Sequence, residues 1–204
     1  MAAGSGAGHG DAGRADCAVG AGAGLTVYTV GHSTHASGEF VALLRAHGVQ
    51  RIADVRTIAK SRHNPQFGED TLAATLRDAG IGYVRMKELG GLRHTTKASV
   101  NGAWRNASFR GYADYMQTAA FAEGIDRLRT IAAEAPVAVM CAEAVPWRCH
   151  RSLIGDALLV RGDTVLDIMS PTQAKSHRLT SFAAVDGLAI TYPPEETYPS
   201  EEEE

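Results

Sequence analysis

The chain has 204 residues, 45% hydrophobic and 21% charged, with a formal net charge of −3. These are ordinary values for a soluble globular protein with one well-buried α/β domain, and no run approaches the about 18 apolar residues of a membrane-spanning helix. The net charge hides a division: setting aside two acids and one arginine in residues 1–24 and six glutamates after residue 192 leaves 15 acidic and 19 basic residues, about +4.

Residues 1–24 are rich in Ala and Gly, without a basic start or a continuous apolar core. They read as a disordered leader rather than a secretory signal, so the expected location is the cytoplasm. A first strand is predicted over residues 25–30, ending in Gly31-His32-Ser33. A helix follows from Ser37, which can cap it, with Phe40, Leu43 and Leu44 at helical spacing and Gly48 as its stop. Residues 51–55 form a second strand, and the polar segment 57–68 a loop. Residues 71–79 form a helix closed by Gly80, and residues 81–86 a third strand. Residues 88–108 are long and polar, the kind of loop that tends to serve function. Residues 109–120 and 122–135 make one or two helices, with Gly124 as a candidate break. A fourth strand over 137–141, a helix over 152–161 and a fifth strand over 164–169 complete the pattern, and the remainder reads as irregular, closing in an acidic tail from residue 193. Strands and helices alternate. The predicted fold is therefore an α/β domain over residues 25–192: a mostly parallel open sheet of about five strands with helices on both faces.

The chemistry concentrates after the fourth strand. Cys141, Glu143, Arg148, Cys149, His150 and Arg151 crowd one strand-to-helix turn, where open α/β sheets bind their ligands. His32 and Ser33 follow the first strand, and Asp54 and Arg56 end the second, so all are expected at the same sheet edge. Cys149 falls near a helix N-terminus beside Arg148, His150 and Arg151, an environment that favours a thiolate. Cys141 lies one residue too far from Arg148 for a Cys-x5-Arg phosphate loop, and the turn carries Pro and Trp where that loop has glycines. Nor is the spacing between the two cysteines that of a short zinc knuckle. There is no GxGxxG and no GxxxxGK[ST], so neither a dinucleotide site nor a P-loop is supported.

Several motifs act together: Thr29-Val30-Gly31-His32-Ser33-Thr34, Asp54-Val55-Arg56, Pro65-Gln66-Phe67, Leu89-Gly90-Gly91, Met140-Cys141-Ala142-Glu143 and Pro146-Trp147-Arg148-Cys149-His150-Arg151. In order and spacing, over residues 25–169, these resemble the bacterial and archaeal family called domain of unknown function 488. The resemblance implies an α/β sandwich and an intracellular enzyme whose reaction is not established. One departure stands out: members often carry His-Ile in the fifth strand, where this chain has Asp167-Ile168.

The leading expectation is an enzyme, a hydrolase or a transferase, acting on an anionic nucleotide, nucleic-acid base or phosphorylated metabolite. His32, Glu143 and Cys149 are its candidate catalytic groups. Ser33, Asp54, Arg56, Arg148 and Arg151 are its candidate substrate ligands. Two alternatives stay open: a non-catalytic nucleic-acid-binding module using the basic loops, and a thiol or metal sensor using Cys141, Cys149 and His150. The sequence assigns no metal, no cofactor and no oligomeric state.

Overall fold

The structure, a computed structural model, describes residues 24–194. The expected leader and acidic tail lie outside these residues, apart from Gly24, Pro193 and Pro194. Five strands run parallel: β1 (Thr26–Gly31), β2 (Arg51–Asp54), β3 (Gly82–Arg85), β4 (Val137–Cys141) and β5 (Thr164–Ser170). A sixth, β6 (Gln173–Ser176), pairs antiparallel with β5, giving the order β3-β2-β4-β1-β5-β6. Two short strands, β7 (Ala184–Asp186) and β8 (Ala189–Thr191), form a separate hairpin. Among the described residues, no helix is long and apolar enough to cross a membrane.

Strand periodicity divides the core. In β4, Val137 and Val139 face one side and Ala138 and Met140 the other, and all five residues of the strand are buried. Helices α1 (Ser37–Ala46) and α2 (Glu69–Asp78) cover the Met140 face through Phe40, Leu44, Leu72 and Leu76. Helices α3 (Ala107–Tyr115), α4 (Ala119–Glu134) and α5 (Arg151–Val160) cover the other through Tyr112, Ile125, Leu128, Leu153 and Leu158. The expected sheet with helices on both faces is the observed one, enlarged by one edge strand.

Three local readings change. Ser37 does not cap α1: Ala36 occupies that position, and its N–H donates to the Glu39 carboxylate at 3.1 Å. The break between α3 and α4 falls before Ala119, not at Gly124, because the Thr118 hydroxyl accepts from the Phe121 N–H at 3.3 Å and opens α4. Gly124 instead sits within α4 as a packing site, where a Cβ would come within 2.9 Å of Leu89. The segment after β5, read as irregular, holds β6, β7 and β8. Their short, mostly exposed residues carry no apolar alternation to signal a strand.

β1 and β4 end level, with Gly31 opposite Cys141. The ladder continues past both ends: the His32 and Ser33 N–H groups donate to the Cys141 and Ala142 carbonyls, each at 3.0 Å. A methyl on Gly31 would overlap the Glu143 carbonyl. Glycine is thus required for the turn after β4 to lie against the first strand.

Candidate functional site

Three strand ends and one helix start meet here. β2 delivers Arg56, β4 delivers Cys141 and Glu143, and the short turn Pro146–Arg148 leads through Cys149 and His150 into α5. Arg56, Glu143, Arg148 and Cys149 line one cavity of about 460 Å³, with Cys141 and His150 also on its wall. His32 and Ser33 line an adjoining cavity of about 350 Å³, which shares Arg56 and Glu143 with the first. The structure therefore gathers six of the eight candidate residues onto two cavities with a common wall. Asp54 and Arg151 lie beneath them, 0% and 1% exposed.

Asp54 and Arg56 form one buried unit. The Arg56 Nε donates to both Asp54 oxygens, at 2.9 and 3.1 Å, and Nη2 donates to Oδ2 at 2.6 Å. The Tyr83 hydroxyl adds a bond to Oδ2 at 2.7 Å. Burial opposes the Asp54 charge, but these partners hold its carboxyl below the usual range. Asp54 thus holds Arg56 in place. Arg56 Nη1 donates onward to the Phe67 carbonyl at 2.8 Å and to His32 Nε2 at 3.3 Å.

That last bond fixes the His32 tautomer. Nδ1 faces the Ser33 carbonyl at 2.9 Å, so it carries the proton, and Nε2 accepts from Arg56. The ring stacks on Phe67 with centroids 4.1 Å apart. Burial, aided by the Arg56 charge, lowers its pKa to about 4 against the Ser33 bond, which favours the cation. His32 is a neutral acceptor turned toward Arg56. Ser33 sits with φ 46°, a left-handed conformation rare outside glycine, and its backbone is tied to Ala142.

On β4 and the following turn, the Arg151 guanidinium reaches the Glu143 backbone carbonyl at 2.6 Å, not its carboxylate. Among the described residues these two side chains form no ion pair. The exposed Glu143 carboxylate has no hydrogen-bond partner among the described residues, and Arg148 is exposed as well.

The two cysteines are buried and unbridged. The Cys141 sulfur lies within 4.8 Å of the Cys149 sulfur, which is itself 3.6 Å from His150 Nδ1. The neighbouring Cys141 thiol, the His150 ring and the Arg151 charge outweigh burial and hold the Cys149 thiol well below its usual range. The neighbouring Cys149, together with burial, pushes Cys141 up. The donor atoms of Cys141, Cys149 and His150 lie within 4.8 Å of one another, a set that suits a thiophilic ion such as zinc. A ligating Nδ1 would leave the ring proton on Nε2, which is buried without a partner. The orphaned Nε2 fits the other arrangement, in which Nδ1–H donates to Cys149 and Nε2 keeps a lone pair.

Gly91 makes room for that imidazole, since any side chain there would collide with the ring. The Tyr112 ring closes the other side at 4.9 Å.

Residues 37–158 match the family model described as Domain of unknown function DUF488. The chain belongs to this family. The DUF488 match begins after β1 and ends within α5, inside the 25–169 span that the motifs suggested. No curated protein and no solved structure matches the chain.

A second polar centre lies away from the DUF488 cysteines and was missed from the sequence. His177 Nε2 and Nδ1 face Asp156 Oδ1 and Asp167 Oδ2, both at 3.1 Å. The Tyr192 hydroxyl donates to Asp156 at 2.8 Å and the Thr29 hydroxyl to Asp167 at 2.6 Å. Burial disfavours the imidazolium, yet the two carboxylates raise its pKa to about 9. Asp167 occupies the position where the DUF488 resemblance suggested His, and here it receives an imidazole from beside β6. The available signal was an acid inside each of two apolar runs, Asp156 in α5 and Asp167 in β5.

Proposed function

We propose that the protein is an enzyme that acts on an anionic substrate through the thiolate of Cys149. One observation carries this reading: the Cys149 sulfur lies at a cavity lined by Arg56 and Arg148, with His150 Nδ1 at 3.6 Å and the Cys141 sulfur within 4.8 Å. A cysteine nucleophile needs a lowered pKa, access to substrate and cationic surroundings, and these combine here. The cavity, at about 460 Å³, is of a size for a nucleotide, a base or a small phosphorylated metabolite.

In this reading Arg148 and the outer edge of Arg56 hold the anionic group. Cys149 attacks the electrophilic centre and Glu143, unpaired at the cavity wall, moves the proton in hydrolysis or group transfer. Ser33 adds a ligand from the adjoining cavity. Asp54 and Arg151 act from below, Asp54 by fixing Arg56 and Arg151 by fixing the Glu143 backbone. His32 holds the Arg56 guanidinium as a neutral acceptor.

Several basic residues of the loops behind the nucleic-acid alternative are used internally. Arg93 donates to the Gly90 and Glu88 carbonyls, Arg110 to the Trp104 carbonyl and Arg85 to the Asp54 and Thr57 carbonyls. The cavity therefore supports the enzyme reading better than an extended basic face.

The test is turnover of a panel of nucleotides and phosphate esters, with intact-mass detection of an adduct. Cys149→Ser should abolish both turnover and adduct, and Glu143→Gln should let the adduct accumulate. Unchanged turnover in both variants would remove these residues from the mechanism.

A further inference from the structure

Cys141 has no task in simple hydrolysis that another residue would not perform better. A thiol is a weak hydrogen-bond donor, and a hydroxyl at the end of β4 would serve the Cys149 thiolate more effectively. What a thiol adds is the ability to attack sulfur. Cys141 sits where that attack is possible: its sulfur lies within 4.8 Å of the Cys149 sulfur, on the same cavity wall. Cys141 ends β4 and is held by its pairing with Gly31 of β1, whereas Cys149 follows a turn whose Trp147 and Arg148 are exposed. Closing a disulfide from sulfurs within 4.8 Å therefore asks the turn, not the sheet, to shift.

We propose that Cys149 and Cys141 are the attacking and resolving thiols of a two-electron redox cycle that closes a Cys141–Cys149 disulfide. The proposal rests on Cys149 being the attacking group in the function proposed above and adds Cys141 as a second catalytic residue. The co-reactant is a two-electron oxidant open to attack by sulfur, either a hydroperoxide or a low-molecular-weight disulfide.

With a hydroperoxide, the Cys149 thiolate attacks the terminal oxygen. An S–O bond forms, the O–O bond breaks, and the alkoxide or hydroxide leaves and is protonated by water. Cys149 is then a sulfenic acid. Cys141 attacks its sulfur, the S–S bond forms, the S–O bond breaks, and hydroxide departs with the Cys141 proton as water. With a disulfide, Cys149 attacks one sulfur, expels the first thiolate and forms a mixed disulfide. Cys141 attacks the Cys149 sulfur, and the second thiolate leaves with the Cys141 proton. In both routes the two protein thiols supply two electrons, and an external dithiol returns them. Arg56 and Arg148 favour an anionic oxidant such as oxidised glutathione.

The experiment uses the full chain with Cys17→Ser, so that only these two cysteines remain. Reduced protein is treated at pH 7 with hydrogen peroxide in one arm and oxidised glutathione in the other. The expected result in at least one arm is the loss of two hydrogens from the intact mass and of both alkylatable thiols. A peptide cross-linked between Cys141 and Cys149 should appear, and dithiothreitol should reverse all three changes. The arm that responds names the oxidant. With Cys141→Ser added, Cys149 should stop at a sulfenic acid trapped by a 1,3-diketone, or at a stable glutathione adduct. Cys149→Ser should leave Cys141 reduced. Two thiols still alkylated after excess oxidant, or Cys149 oxidised beside a free Cys141, would overturn the proposal. If Cys149 still forms an adduct with an anionic electrophile in that case, the function proposed above survives and only the redox cycle falls.

Discussion

The Arg56 guanidinium forks onto the carboxylate of Asp54, two residues before it in the chain, and both side chains are almost wholly out of water. Removing one partner strands the other as a buried charge. Asp54→Ala should cost on the order of 3–5 kcal/mol in chemical denaturation. It should also weaken anion binding by releasing Arg56 from its fixed direction. A variant with unchanged denaturation midpoint and unchanged anion binding would show that the fork neither supports the fold nor positions the arginine.

His177 gives the fold a pH dependence of defined sign. Its pKa is raised from an ordinary 6.5 to about 9, so its stabilising contribution is complete below about pH 6.5 and is lost as pH climbs through 9. The loss should reach about 3 kcal/mol at most, an order-of-magnitude figure. Denaturation midpoints at pH 6, 7.5 and 9.5 should fall in that order, and His177→Gln should flatten the trend. A wild-type midpoint that holds steady to pH 9.5 would mean the imidazole is not charged in the folded protein.

The thiolate character of Cys149 is readable without knowing the substrate. In a Cys17→Ser background, the rate of modification by iodoacetamide should stay level between about pH 5 and pH 8, because the thiol, held well below its usual range, is ionised throughout. An ordinary cysteine would gain about tenfold per pH unit over the same range. Cys141, whose thiol is pushed up, should react only after Cys149. A rate that climbs steeply above pH 7 would contradict the arrangement of the pair.

Gly91 and Gly31 test different parts of the site. Gly91→Ala pushes on the His150 ring, and the misplacement should slow Cys149 modification about tenfold while the fold survives. Gly31→Ala pushes on a backbone carbonyl that cannot rotate away, and should cost on the order of 3 kcal/mol of stability. Reversed outcomes, with Gly91→Ala unfolding and Gly31→Ala silent, would show that the two contacts have been assigned the wrong roles.

The alternation of strands and helices was legible because each element carries its own period, and β4 is apolar throughout. The grouping of Arg56, Glu143 and Cys149 followed from parallel strands sharing one carboxyl edge. What the sequence did not carry was how side chains spend their bonds. Nothing in Asp54-Val55-Arg56 says that the acid is consumed by its neighbour, nor that Arg151 would choose the Glu143 carbonyl over its carboxylate. The pairing of His177 with Asp156 and Asp167 is of the same kind. It depends on β6 folding back against β5, a strand too short and too polar to leave a pattern.

Gly31 lies before the stretch that defines the family, yet the reactive turn rests on it. A fragment trimmed to residues 37–158 would keep both cysteines, Glu143 and the three arginines, and lose the surface they are moulded against. During synthesis that surface emerges well before the turn, so the nucleophile takes shape only when late-made residues dock onto the earliest strand. Reactivity at Cys149 should accordingly serve as a reporter of completed folding.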